Sequence, residues 1–73
     1  MTKKRAKREV AKEVKAIDAD IRGQIVNRLR SNDLTSDVFL LLTIERQKRR
    51  IEVVTRVAEK YGVEFDVLFE VIV

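Results

Sequence analysis

The chain has 73 residues, with 16 Lys+Arg against 12 Asp+Glu for a net charge of +4, and it contains neither cysteine nor histidine. That composition excludes disulfides and thiol chemistry and argues against a soft-metal site, and no run approaches the ~20 apolar residues that a membrane-spanning helix needs. A charged content of 38%, no proline and only 2 glycines suit a helical protein.

Chains of this size bury about 60% of the surface that their unfolded forms expose, so oligomerisation is the expected remedy for a marginal core. With no signal-peptide pattern, the expected location is the cytoplasm.

Residues 3–30 read as one long amphipathic helix, because Val10, Val14, Ile17, Ile21 and Ile25 recur at spacings of four and three. Gly23 interrupts it, and a bend or weak point is expected there, glycine costing about 1 kcal/mol inside a helix. The helix should end by "SND" at 31–33.

The next start signal is specific. Thr35 suits an N-cap, Asp37 places a carboxylate in the positive first turn, and Leu34 is placed to pack on Phe39. A second helix is therefore predicted from about Ser36 to Tyr61, with Gly62 as the left-handed residue that ends it. Within it Ile44, Ile51 and Ala58 recur every seven residues, as do Gln47, Val54 and Tyr61, which makes a coiled-coil-like seam. A short link makes the two helices antiparallel neighbours, an αα-hairpin.

"VFLLLTI" at 38–44 is apolar almost all round, and a hairpin covers only one side of it. A homodimeric bundle is the expected cover, with Val38, Phe39, Leu41, Leu42, Phe65 and Phe69 at the dimer or partner interface. The last segment, "VEFDVLFEVIV" at 63–73, alternates like a strand but also aligns Phe65, Leu68, Phe69 and Ile72 on one helical face. The fold expected is all-α, a long antiparallel hairpin plus a short C-terminal helix. The alternative is α+β with strands near 38–44 and 63–73.

In residues 40–73, Ala58 stands four before the turn glycine Gly62, Val57 and Tyr61 are apolar where a first helix packs, and Leu68 and Val71 where a second one does. This pattern resembles the helix-turn-helix. The stretch also resembles ribbon-helix-helix proteins, with 40–45 as the ribbon strand, 47–61 as the first helix and 64–73 as the second. Both resemblances imply a DNA-binding transcription regulator. Yet Glu64, Asp66, Val67 and Glu70 would face the DNA, and carboxylates facing phosphates are repelled.

The basic residues are more informative. Lys4, Arg8, Lys12, Lys15 and Arg22 share an arc of the first helix, and Arg46, Arg49, Arg56 and Lys60 share one on the second. "RQKRR" concentrates cations, although Glu45, Glu52, Glu13 and Asp18 lie nearby and are placed to pair with them. Charge opposite an apolar stripe is also what an ordinary solvated helix shows.

The reading is a small basic, non-enzymatic regulator that binds nucleic acid, DNA ahead of RNA, with no cofactor and no metal. The expected phosphate contacts are Lys3, Lys4, Arg5, Lys7 and Arg8 on an N-terminal basic arm (1–8), with Arg46, Arg49, Arg50 and Arg56 on the second ridge. The competing reading is a protein-interaction module that docks a larger protein through 63–73.

Overall fold

A computed structural model describes residues 2–73. Two long helices, α1 (Thr2–Arg30) and α2 (Ser36–Tyr61), lie side by side and antiparallel, and a short α3 (Phe65–Phe69) folds back on both. The molecule is a rod of 47 × 17 × 16 Å. No strand occurs among the described residues, so the α+β alternative is overturned. Residues 38–45 lie within α2, where "VFLLLTI" has no neighbouring extended segment to pair with. In the alternating 63–73 segment, Phe65–Phe69 are helical and a turn follows at 70–72.

The ends of α2 follow the residues that cap it. The Thr35 hydroxyl accepts from the Val38 amide at 3.2 Å, and Asp37 sits in the first turn. Gly62 adopts φ 65° and ψ 30°, and the Val63 amide closes the end on the Ala58 carbonyl at 3.1 Å. At the other turn Asn32 takes φ 54°, and the Asp33 amide donates to the Arg28 carbonyl at 2.8 Å.

The two glycines predict opposite effects. A Cβ at either would meet nothing within 4 Å, so only the backbone decides. Gly62→Ala is expected to cost about 1–2 kcal/mol because it forces a side chain into the left-handed region. Gly23 lies inside an unbroken α1, and Gly23→Ala is expected to add about 0.5–1 kcal/mol. Urea unfolding followed by far-UV circular dichroism measures both.

The core joins Ala6, Val10, Val14, Ile17 and Ile21 of α1 to Val53, Val54 and Val57 of α2, closed by Leu68 and Ile72. The coiled-coil-like seam needs a correction. Of its members only Val54, Ala58 and Tyr61 join or pack on this core, while Ile44 and Ile51 are 54% and 39% exposed. α2 carries two apolar stripes about 120° apart around its axis, and the hairpin uses the one through Val53 and Val57.

Electrostatics explains the choice. The Val53/Val57 stripe is flanked by Arg49, Arg56 and Lys60, which meet carboxylates of α1. Turning the Ile44/Ile51 stripe inward would instead carry Arg49, Arg56 and Lys60 to the far side of α2 and leave those carboxylates without their cations.

Candidate nucleic-acid interface

The cations divide into two populations. Three of the six cations of α2 form a ladder across the hairpin, Lys60 Nζ to Glu9 Oε1 at 3.0 Å, Arg56 to Glu13, and Arg49 Nη1 to Asp20 Oδ2 at 2.8 Å, while Lys48 is exposed and outside it. As the α1 number rises the α2 number falls in step, which is the antiparallel register written in charge. On the α3 side, Arg50 Nε lies 3.9 Å from Asp18 Oδ1 and Arg50 Nη2 donates to the Ile72 carbonyl at 2.8 Å. Arg46 is half-buried, and its Nε is enclosed without a hydrogen-bond partner among the described residues.

The ladder shifts its members' protonation. The Tyr61 hydroxyl and then the Lys60 ammonium hold the Glu9 carboxyl below the usual carboxylate range, and Arg49 does the same to Asp20. Glu9 in turn raises Lys60 and Tyr61, and Glu13 raises Arg56.

Lowered carboxyls add stability that is present above their unfolded values and lost as pH falls through the folded ones. Raised Lys60 and Tyr61 add stability that is present at neutral pH and lost as pH climbs past theirs. The thermal midpoint is therefore expected to be flat near neutrality and to fall below about pH 4 and above about pH 10. Glu9→Gln with Asp20→Asn should flatten part of the acid limb in a melting series across pH.

The α1 population is different. Every carboxylate of α1, Glu9, Glu13, Asp18 and Asp20, is turned to a cation of α2. The opposite arc of α1 holds Lys4, Arg8, Lys12, Lys15 and Arg22, all exposed and with no ion-pair partner among the described residues. Lys4 to Arg22 spans about 27 Å along the helix. Among the remaining cations, Arg28 is paired with Asp33 at 3.4 Å.

Lys3, Lys4, Arg5, Lys7 and Arg8 are exposed as expected, but on the first turns of α1 and not on an extended arm. The first turn of α1 has no acidic residue. Cations there oppose the positive end of the helix dipole, where a carboxylate would be favourable.

Sequence reasoning set Lys12, Lys15 and Arg22 on the basic arc but assigned them no contact. The signal that separates them from the α2 cations is the antiparallel register, which gives each carboxylate of α1 a cation of α2 and leaves the outer arc single-signed.

The expected interface residues also divide. Phe39, Leu41 and Phe65 are 50%, 65% and 37% exposed, whereas Val38 is half-buried, and Leu42 and Phe69 pack against the core. Phe69 stacks on Phe65 with ring centroids 5.4 Å apart.

In the helix-turn-helix comparison, α3 supplies only 5 residues where a recognition helix would lie. Residues 40–45, the ribbon strand of the other resemblance, are helical. Among the described residues no group of three or more acidic, histidine or cysteine side chains is placed to hold a metal ion, and no helix is long and apolar enough to cross a membrane. No family model, no characterised protein and no solved structure matches the chain.

Proposed function

We propose that this protein binds nucleic acid, duplex DNA ahead of RNA, through the outer face of α1. The observation that carries the reading is the sorting of charge on that helix. Its carboxylates are all turned to cations of α2, and Lys4, Arg8, Lys12, Lys15 and Arg22 are left on the outer face with no ion-pair partner among the described residues.

A line of unpaired cations about 27 Å long follows a phosphate backbone, releases counterions on contact and needs no base-specific group. An approaching polyanion also relieves the repulsion among Lys3, Lys4 and Arg5 at the positive end of the helix dipole.

Duplex is favoured over single strands because the face offers no aromatic platform. Tyr61 and Phe69 pack on the core, and Phe65 stacks on Phe69. The expected consequence is sequence-tolerant binding with a regulatory or packaging outcome, not a catalytic one.

Docking of a larger protein by the C-terminal segment has less support. Leu68 and Ile72, the apolar face that an amphipathic helix would offer to a groove, are buried within the chain.

Fluorescence anisotropy with a labelled random duplex tests the proposal. Micromolar or tighter binding at low salt that weakens linearly on a log-log plot against salt is expected. No binding at low salt would overturn it.

A further inference from the structure

We infer that the open half of the α2 seam is the interface of a homodimer in which α2 packs antiparallel on α2 of a second copy. The inference is independent of the nucleic-acid reading, since it uses none of the outer face of α1.

The seam is continuous in sequence and divided in space. Its C-terminal members Val54, Ala58 and Tyr61 belong to or pack on the core that α3 completes. Its N-terminal members Leu40, Ile44 and Ile51 keep the same four-three spacing, with Gln47 between them, and are 57%, 54% and 39% exposed. α3 thus satisfies one half within the chain, and the same knobs-into-holes geometry stands open on the other. The open stripe carries no charge, so it does not repel its own copy.

Area favours a second copy of this chain. The exposed parts of Phe39, Leu40, Leu41, Ile44, Ile51 and Val73 amount to about 600 Å² per protomer, against about 800 Å² that each partner buries in a standard interface once polar flanks are counted. That is also at the upper end of the largest apolar patch a monomer shows, about 300–600 Å².

The antiparallel order follows from where the chain ends. The Arg50 side chain donates to the Ile72 carbonyl at 2.8 Å, which sets the 90%-exposed Val73 beside the Ile51 end of the stripe. With Leu40 opposite the Ile51 of its partner, Phe39 of each copy comes on the same flank as Val73 of the other. A parallel pairing would leave both patches in water. The antiparallel two-fold also sets both α1 helices on the same side of the α2 pair.

Sedimentation equilibrium from low to high micromolar concentration tests the state. A dimer is expected, and Ile44→Lys with Ile51→Lys should weaken it about 100-fold or more while far-UV circular dichroism stays unchanged, since both side chains are exposed. The absence of native cysteine allows a direct test of order. Leu40→Cys mixed with Ile51→Cys should form a disulfide-linked heterodimer on oxidation, and neither variant should link efficiently to itself. A wild-type monomer throughout, a dimer indifferent to Ile44→Lys, or efficient self-linking of Leu40→Cys would each overturn the proposal.

Discussion

Replacing Arg8, Lys12 and Lys15 together with glutamine is expected to reduce the slope of log affinity against log salt by about 3 and to weaken duplex binding about 100-fold at moderate salt. All three side chains are exposed and make no hydrogen bond or ion pair within the described chain, so the fold has no reason to suffer. Removing positive charge that crowds one helix should leave the melting midpoint equal or slightly higher.

The informative contrast is the pair Arg49→Gln and Arg56→Gln. These cations already face Asp20 and Glu13, so a phosphate must compete with a carboxylate for each. Their loss is expected to change binding only a few-fold and to lower the melting midpoint. The reverse pattern, binding abolished by the α2 pair and untouched by the α1 triple, would move the interface to the other helix.

The contrast also shows how far the sequence could be read. Helix bounds were legible because they are local: Thr35 caps by its own hydroxyl, and Gly62 ends α2 because a residue without Cβ takes φ 65° at least cost. The α1 half of the core was legible from Val10, Val14, Ile17 and Ile21 for the same reason.

The α2 half was not. A helix apolar on two sides offers two seams, and periodicity alone favours the longer one through Ile44, Ile51 and Ala58. The tertiary fold uses the shorter one, because its flanking cations meet Glu9, Glu13 and Asp20.

The candidate interface inherits that ambiguity. Two basic arcs look alike in sequence, and they part only when the hairpin brings the carboxylates of one helix against the cations of the other. Arg49 and Arg56 are then half of an ion-pair ladder. Lys12 and Lys15, similar in type and spacing, are left facing outward.

Leu68→Ala is expected to have the largest effect on stability of any conservative change. Leu68 is completely buried between the two long helices and, with Ile72, closes a core otherwise built of alanine, valine and isoleucine. Emptying its site should cost about 3 kcal/mol, because a leucine-sized cavity between rigid helices collapses poorly. A chain of this length has a total stability of about 4–11 kcal/mol, so the variant should melt many degrees lower and, at the low end of that range, populate an open state in which α3 is detached.

Deleting residues 64–73 removes Leu68 and Ile72 together and is expected to abolish cooperative melting altogether. Loss of partner binding on that deletion would therefore report unfolding, not docking. The C-terminal segment must be tested from its outward side, with Glu64→Gln, Asp66→Asn and Glu70→Gln combined, all three being exposed. That triple should melt with the wild type. If it still engages every partner of the native chain, α3 is a structural clasp that closes the hairpin core, and recognition lies on the two long helices.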